Sequence, residues 1–254
     1  MKNLLRFASL LPLTVISLSS CTIHGIVFPL PPDMEHAEKR LVSEEDYLVD
    51  FSKGGSDSFF FAHGYSNGKP FNCIWNRKAG TFENGTLNLS VYKDSNKERF
   101  YGAEYRSMNN DFHYGYYATK MKPADCSGVI SSFFTYTYYP SWDEIDIEFL
   151  GKNMRQVQFN YFKSGKGHAF LYSLWFDASK DFHEYGFEWL PETITWYIDG
   201  IKVYQVNVEI PTNPQMLMMN VWNCISDDNW SGVLDESKLP TKAQYQWIAY
   251  IPAE

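Results

Sequence analysis

The chain has 254 residues, of which 44% are hydrophobic, and this is enough for one large domain with a sizeable core. Its 22 Lys and Arg against 30 Asp and Glu give a net charge of −8. Because no basic patch is available to neutralise phosphates, nucleic acid is not an expected partner. Aromatic residues make up 18% of the chain, more ring surface than such a core usually needs, so some rings are expected to face a ligand.

The first 21 residues have the pattern of an export signal. Lys2 and Arg6 precede an apolar run that is too short for a stable membrane span. The run ends in LSSC (18–21), which resembles the lipobox of bacterial lipoproteins, where the cysteine is lipidated and becomes the new N-terminus. We therefore expect an exported, membrane-anchored protein at the periplasmic or cell surface, with its lipid on Cys21. An ordinary signal peptide is the alternative.

Residues 22–50 contain prolines and then charges, which is typical of a tether and lead-in, and a single folded domain is expected over 51–254. Within it, short β-branched or aromatic segments recur between Gly, Pro, Asn and Asp, and no long window has helical periodicity. The predicted strands lie at about 85–93, 114–122, 127–139, 156–162, 182–189, 193–198, 201–206, 216–222 and 245–251.

Asp199-Gly200 is the strongest hairpin signal, because a type I′ turn needs positive φ at both central residues. The succession of short strands predicts an all-β fold, a β-sandwich of jelly-roll type. Three cysteines follow Cys21, at positions 73, 126 and 224, and none has CxxC spacing, so zinc and thioredoxin-type chemistry are not supported. An exported protein could bridge one pair, but the sequence does not choose between them.

The stretch WDEIDIEF (142–149) is the most informative part of the chain. Strand alternation places Glu144, Asp146 and Glu148 on one face and the intervening apolar residues on the other. Like charges so close raise the cost of ionising all three, so at least one carboxyl is expected to hold a proton near neutral pH. A protonated and an ionised carboxyl are the pair that glycoside hydrolysis needs.

The spacing of these acids along the strand limits how they can act together. Four strand residues separate Glu144 from Glu148, roughly 13 Å between their α-carbons, so the strand must curve or the side chains must lean together. A solvated strand face and a calcium site are the alternatives, but the segment from Asp143 has no glycine at the sixth position of an EF-hand loop. Trp142 favours a sugar-binding cleft, because ring faces stack on the C–H faces of pyranoses.

From about residue 60 to 251 the sequence resembles the bacterial lichenases, the endo-β-1,3-1,4-glucanases of glycoside hydrolase family 16. The segments that carry the resemblance are GYSNGKPFNC (64–73), MKPA (121–124), SSFFTYT (131–137), WDEIDIEFLGK (142–152), VQFNY (157–161), YIDG (197–200) and MMNVWN (218–223). The resemblance implies a curved jelly-roll sandwich with a concave substrate cleft, retention of anomeric configuration and no required cofactor.

Position by position, the resemblance implies that Glu144 is the nucleophile, Glu148 the general acid/base and Asp146 the carboxylate that orients and tunes the pair. It also implies sugar-binding roles for Tyr65, Asn67, Phe71, Glu104, Arg106, Phe134, Trp142, Asn160, Asn220, Trp222 and Trp230. The expected substrate is a mixed-linkage β-glucan, such as lichenan or cereal β-glucan, cut at β-1,4 bonds next to β-1,3 bonds. The enzyme is expected to be a monomer.

The sequence departs from the family pattern at three places. The cysteine that lichenases often bridge to the one matching Cys73 is replaced by Gly102, so that disulfide cannot form here. An Asp that commonly ligates calcium aligns with Gln246, so side-chain ligation of a structural calcium ion is in doubt and the metal content is unknown. The segment between Tyr138 and Trp142 is shorter than in many relatives, and subsite preference could change with it.

Three other functions compete with this prediction. A family member active on xyloglucan or β-1,3-glucan would share the acids, although β-1,3-glucanases usually carry one more residue between them. A non-catalytic glycan-binding lipoprotein could dispense with the acids, and their presence speaks against it. A serine esterase is suggested by GYSNG (64–68), but the Pro- and Asn-containing residues after Ser66 predict a loop instead of the required helix.

Overall fold

The structure is a computed structural model that describes residues 39–138, 140–225 and 228–254, together with 22–23, 26–27, 32 and 37. The predicted export signal and its Cys21 lie outside the described residues. In the described part of the chain, no helix is both long enough and apolar enough to cross a membrane.

Strands dominate the regular structure. They are β1 Thr22–Ile23, β2 Ile26–Val27, β3 Tyr47–Asp50, β4 Phe59–Phe61, β5 Ile74–Trp75, β6 Gly80–Glu83, β7 Thr86–Asp94, β8 Arg99–Ser107, β9 Gly115–Lys122, β10 Val129–Tyr136, β11 Glu144–Leu150, β12 Gln156–Lys163, β13 Lys166–Gly167, β14 Phe170–Ser173, β15 His183–Trp189, β16 Ile194–Ile198, β17 Ile201–Val206, β18 Met216–Asn223 and β19 Thr241–Pro252. The helical elements are α1 Asp228–Ser231 and short 3-10 helices at Glu44–Asp46, Phe51–Lys53, Arg77–Ala79 and Glu236–Lys238.

The strands build two layers. The first layer has the order β4-β8-β18-β10-β11-β12-β14, and the second has the order β6-β7-β19-β9-β15-β16-β17. The β7–β8 hairpin links them, so one strongly curled sheet forms both layers. The pairings between these strands are antiparallel, and the short pair β5–β8 is parallel. This is the predicted jelly-roll sandwich.

The hydrophobic core lies between the two layers. On β11, Ile145 and Ile147 are fully buried in it, as the alternation of that strand predicts. From the second layer, the indole N–H of Trp196 donates to the carbonyl oxygen of Asp146 at 3.2 Å. The backbone of β11 is therefore tied to the opposite layer, and the other face of the strand is left for the acids.

The predicted strands are present with shifts of a few residues at their ends. The hairpin at Asp199-Gly200 is confirmed, because Ile198 pairs with Ile201 and the two turn residues have φ values of 48° and 75°. Strand β8 was not predicted. Its sequence places the charged residues Glu104 and Arg106 among aromatic residues, and these charges weaken the pattern that indicates a strand. The strand is nevertheless central to the first layer.

The folded body begins before residue 51. Strand β3 pairs with β19, and the ring of Tyr47 stacks on that of Trp247 at a centroid distance of 4.7 Å. Further upstream, Lys39 forms an isolated β-bridge with Ile201. The last part of the segment assigned to the tether from sequence therefore packs on the second layer.

Cys73, Cys126 and Cys224 are buried, and Cys73 and Cys126 are free thiols. Gly102 lies beside Cys73, since a Cβ built on the glycine would stand 2.8 Å from the Sγ atom of Cys73. The two positions that the resemblance implies for the family's disulfide are thus adjacent here, but Gly102 supplies no sulfur. Burial raises the pKa of the Cys73 thiol to about 12, so this thiol is unreactive at neutral pH.

Candidate active site

A cleft of about 920 Å³ lies on the face of the first layer that points away from the core. The three acids of β11 line it, and so do all eleven positions to which the resemblance gave a sugar-binding role. The other lining residues are Lys69, Pro70, Ser132, Tyr136, Tyr138, Gln158, Phe162, Ala169 and Met218. The positions implied by the resemblance therefore lie around one cleft, and the rest of its lining was not predicted.

Strand register explains why these residues meet. Cross-strand partners on the cleft face form rows that cross the first layer. One row consists of Phe60, Arg106, Met218, Phe134, Asp146 and Asn160. The next row consists of Glu104, Asn220, Ser132, Glu148 and Gln158. Because neighbouring strands are about 4.8 Å apart, each row forms a line of side chains that runs across the strands.

Glu144 is held by the tryptophan that precedes it by two residues. The indole N–H of Trp142 donates to Oε2 of Glu144 at 2.9 Å, and the Trp142 ring stacks on Phe162 at 5.2 Å. Trp142 has a φ of 35°, a left-handed conformation that is uncommon for a bulky side chain. The Gly165 N–H donates to the Trp142 carbonyl oxygen at 2.8 Å, and a Cβ on this glycine would lie 3.1 Å from the indole. The turn therefore needs a glycine to support Trp142.

Asp143 is fully buried beneath the start of β11. Its carboxylate accepts the backbone N–H groups of Ser164 at 3.0 Å and Thr212 at 2.9 Å, and both the backbone and side-chain amides of Asn213. Burial acts to raise the pKa of Asp143, but these hydrogen bonds outweigh it and hold the pKa below its usual value. An ionised Asp143 thus ties two loops to the strand that carries the acids.

Glu148 is positioned by an amide that sequence reasoning missed. The side-chain N–H of Gln158 donates to Oε2 of Glu148 at 2.7 Å. The indole N–H of Trp230 in turn donates to Oε1 of Gln158 at 3.0 Å. An indole nitrogen can only donate, so Trp230 fixes which end of the amide faces Glu148. The predicted site residue Trp230 therefore acts on the acid through Gln158.

The three acids share less than three negative charges at neutral pH. Burial raises the pKa of Glu144 to about 7, and the hydrogen bonds from Trp142 and Asp146 oppose this rise. Burial and the charge of Glu144 raise the pKa of Glu148 to about 7. Burial and both glutamates raise the pKa of Asp146 well above its usual range. The direction of these shifts assigns the proton of the Asp146–Glu144 hydrogen bond to Asp146, in line with the expectation that one carboxyl stays protonated.

At the β8 side of the cleft, polar groups are buried without complete pairing. Arg106 lies 3.4 Å from the carboxylate of Glu104 and donates to the Tyr138 hydroxyl at 2.8 Å. Burial raises the pKa of Glu104 to about 7, against the opposing effects of Arg106 and Asn220. In the described part of the chain, Nε of Arg106 and Oδ1 of Asn220 are buried without a hydrogen-bond partner.

Aromatic rings form one wall of the cleft. Phe71 stacks on Trp222 at a centroid distance of 4.0 Å, and Trp222 contacts Trp230 at 6.0 Å. Asn67 supports this wall from behind by accepting the indole N–H of Trp75 at 3.0 Å. Flat apolar faces beside hydroxyl-binding groups suit a sugar ring, whose C–H faces stack on aromatics.

The esterase alternative finds no support in the local structure. Ser66 lies in an exposed loop between β4 and β5, and its hydroxyl accepts the backbone N–H of Gly68 at 3.2 Å. In the described chain the loop leads directly into β5, so the strand-turn-helix context of a nucleophile elbow is absent around Ser66.

The position that the resemblance matches to a calcium-ligating Asp lies in β19. Gln246 offers an amide there, and in the described ranges no group of three His, Cys, Asp or Glu side chains converges on a metal-sized site.

The family profile described as "Glycosyl hydrolases family 16" matches residues 67–249. The chain belongs to glycosyl hydrolase family 16. It is therefore a glycoside hydrolase, and the resemblance drawn from its motifs is confirmed. The family 16 region spans the aromatic wall, β8, the acidic strand and β12, so the whole cleft lies within it apart from the rim residue Tyr65.

Named relatives agree with this family. A β-glucanase of Acetivibrio thermocellus is 41% identical over 244 residues, which cover 94% of this chain and 72% of that protein. A xylanase/β-glucanase of Ruminococcus flavefaciens is 45% identical over 215 residues, but this chain spans only 26% of its length. The crystal structure of a lichenase from a mouse hindgut metagenome has a TM-score of 0.77 and 44% identity, and the match covers 81% of this chain and 98% of the other.

Proposed function

We propose that this family 16 enzyme is an endo-acting, retaining β-glucanase that hydrolyses β-1,4 bonds next to β-1,3 bonds in mixed-linkage glucans such as lichenan. The observation that carries the proposal is the trio of acids on β11, which faces a cleft walled by aromatic rings. The names of the similar proteins, β-glucanase and lichenase, support the same substrate class.

In the first step, a protonated Glu148 donates its proton to the glycosidic oxygen while the Glu144 carboxylate attacks the anomeric carbon. The bond from the anomeric carbon to the leaving sugar breaks, and an ester joins Glu144 to the remaining chain. The Trp142 N–H and the proton of Asp146 stabilise the ionised form of Glu144 before the attack. Gln158 keeps Glu148 turned toward the cleft.

In the second step, Glu148 acts as a base. Formation of the ester removes the negative charge of Glu144, which had raised the pKa of Glu148, so Glu148 becomes a stronger acid and is left ionised. It takes a proton from water, whose oxygen attacks the anomeric carbon and releases Glu144. Two displacements at one carbon restore the original configuration, so the product retains the β-anomeric form.

The test is hydrolysis of a panel of polysaccharides by residues 22–254. We expect release of oligosaccharides from lichenan and cereal β-glucan, and little release from laminarin, carboxymethylcellulose or xyloglucan. Binding of these glucans without cleavage would replace the proposal by the glycan-binding alternative. Preferential cleavage of laminarin or xyloglucan would keep the chemistry and contradict the proposed substrate.

We also propose that the enzyme is exported and anchored through a lipid on Cys21. The proposal rests on Lys2, Arg6, the short apolar run and the LSSC ending. In cells, Cys21→Ala is expected to move activity from the membrane fraction to the soluble fraction, because no thiol is left for the lipid. Ser20→Ala is the matched control, since it keeps a small residue before the cysteine. Membrane association of Cys21→Ala would contradict the anchor.

A further inference from the structure

A second groove, of about 580 Å³, adjoins the cleft at its β4 end. Its lining residues are Phe60, Phe61, Ala62, His63, Tyr65 and Arg77. Tyr65 also lines the cleft and is 39% exposed. The Tyr65 ring therefore borders both the cleft and the groove.

Strand register also relates the groove to the cleft. Phe60 ends the row of cleft residues that contains Asp146, because β4 has a partner only on its β8 side in the described sheet. The guanidinium carbon of Arg106, a cleft residue, lies 4.9 Å from the centroid of the Phe60 ring. Four strand spacings, about 19 Å, separate Phe60 from Asp146 along the row. The groove thus lies in line with the acids, several strands away from them.

The groove combines ring surface with hydrogen-bond donors. The backbone N–H of Arg77 donates to Nδ1 of His63 at 3.3 Å, so the neutral His63 ring carries its proton on Nε2 and presents a donor. The exposed guanidinium of Arg77 adds further donors. The lining contains no carboxylate. Aromatic faces with hydrogen-bond donors beside them also form the wall of the cleft, and such a surface suits a hydroxyl-rich sugar chain.

We propose that this groove is an additional glucan-binding site that holds sugar units of the same substrate chain beyond those in the cleft. The proposal rests on the proposed function, because its occupant is the polysaccharide that the cleft cuts. Binding of remote units stabilises the transition state as well as the bound substrate. The enzyme therefore favours long chains over oligosaccharides that fill only the cleft.

The experiment measures kcat/KM on mixed-linkage oligosaccharides of increasing length and on lichenan, for the wild type and for His63→Ala/Arg77→Ala. Both residues lie in the groove and outside the cleft. We expect the double variant to lose about three- to tenfold on lichenan and the longest oligosaccharides, the effect of one or two hydrogen bonds. The shortest cleaved oligosaccharide should be cut at the wild-type rate.

Arg99→Ala is the matched control, because it removes an exposed arginine that lines neither cleft nor groove. The proposal would be overturned if the double variant cleaved substrates of every length at the wild-type rate. It would also be overturned if the double variant lost the same factor at every length, because such a loss indicates structural damage instead of lost binding in the groove. If the proposed function is wrong, the wild type will cleave none of the oligosaccharides, whatever their length. In that case, calorimetric titration with the longest oligosaccharide decides, since the proposal requires weaker binding by the double variant.

Discussion

Glu144→Ala is expected to lower kcat on lichenan by about three orders of magnitude or more, because the carboxylate that attacks the anomeric carbon is removed. The smaller side chain also leaves room for an anion. Added azide should enter this space and attack the anomeric carbon from the side that Glu144 occupied. The measurement is reducing-sugar release, together with NMR of the glycosyl azide, whose configuration should be inverted relative to the substrate.

Glu184→Ala is the matched control for that variant. Burial also raises the pKa of Glu184 to about 7, but this residue belongs to β15 in the second layer and does not line the cleft. It should keep activity on lichenan within a few-fold of the wild type. Substantial activity of Glu144→Ala without azide, or an azide product of retained configuration, would remove Glu144 from the nucleophile role.

Glu148→Gln is expected to lower kcat on lichenan by about 10²- to 10⁴-fold with little change in KM. Glutamine has the same shape but cannot donate the proton that the leaving sugar needs. The first step on a dinitrophenyl glycoside should be much less affected, because a dinitrophenolate leaves without protonation. Comparison of the pre-steady-state burst of dinitrophenolate with the rate on lichenan measures this difference.

The pH profile gives a second readout of the same variant. Glu148 has a pKa raised to about 7 and must be protonated in the first step, so kcat/KM of the wild type should fall as the pH rises through about 7. Glutamine does not titrate, and the residual activity of Glu148→Gln should lack this decline. Equal losses on lichenan and in the burst, or an unchanged decline at high pH, would contradict the acid role of Glu148.

Features that depend on local sequence were predictable. Alternation in WDEIDIEF was sufficient to place Glu144, Asp146 and Glu148 on one face and to require a shared proton. The φ preference of Asp199-Gly200 was sufficient to define a hairpin. In both cases the physical cause lies within a few neighbouring residues, and no knowledge of the partner strands is needed.

Features that depend on long-range packing were not predictable from the residues alone. Gln158 acts on Glu148 only because β12 pairs with β11 in one register, and nothing in its own segment marks it as a site residue. Asp143 is acidic like Glu144, Asp146 and Glu148, but its carboxylate binds two loops instead of facing the cleft. The nearer of these loops, at Ser164, lies about twenty residues further along the chain. The roles within the acid trio came from the family resemblance.

The most direct test of the account follows the anomeric proton signals during digestion of lichenan by the wild type, with analysis of the linkage at each new reducing end. We expect the β-anomer to form first and to mutarotate later, because two displacements retain configuration. The new reducing ends should be 3-O-substituted glucose units. First appearance of the α-anomer would contradict the roles of Glu144 and Glu148, and reducing ends that are not 3-O-substituted would contradict the mixed-linkage specificity.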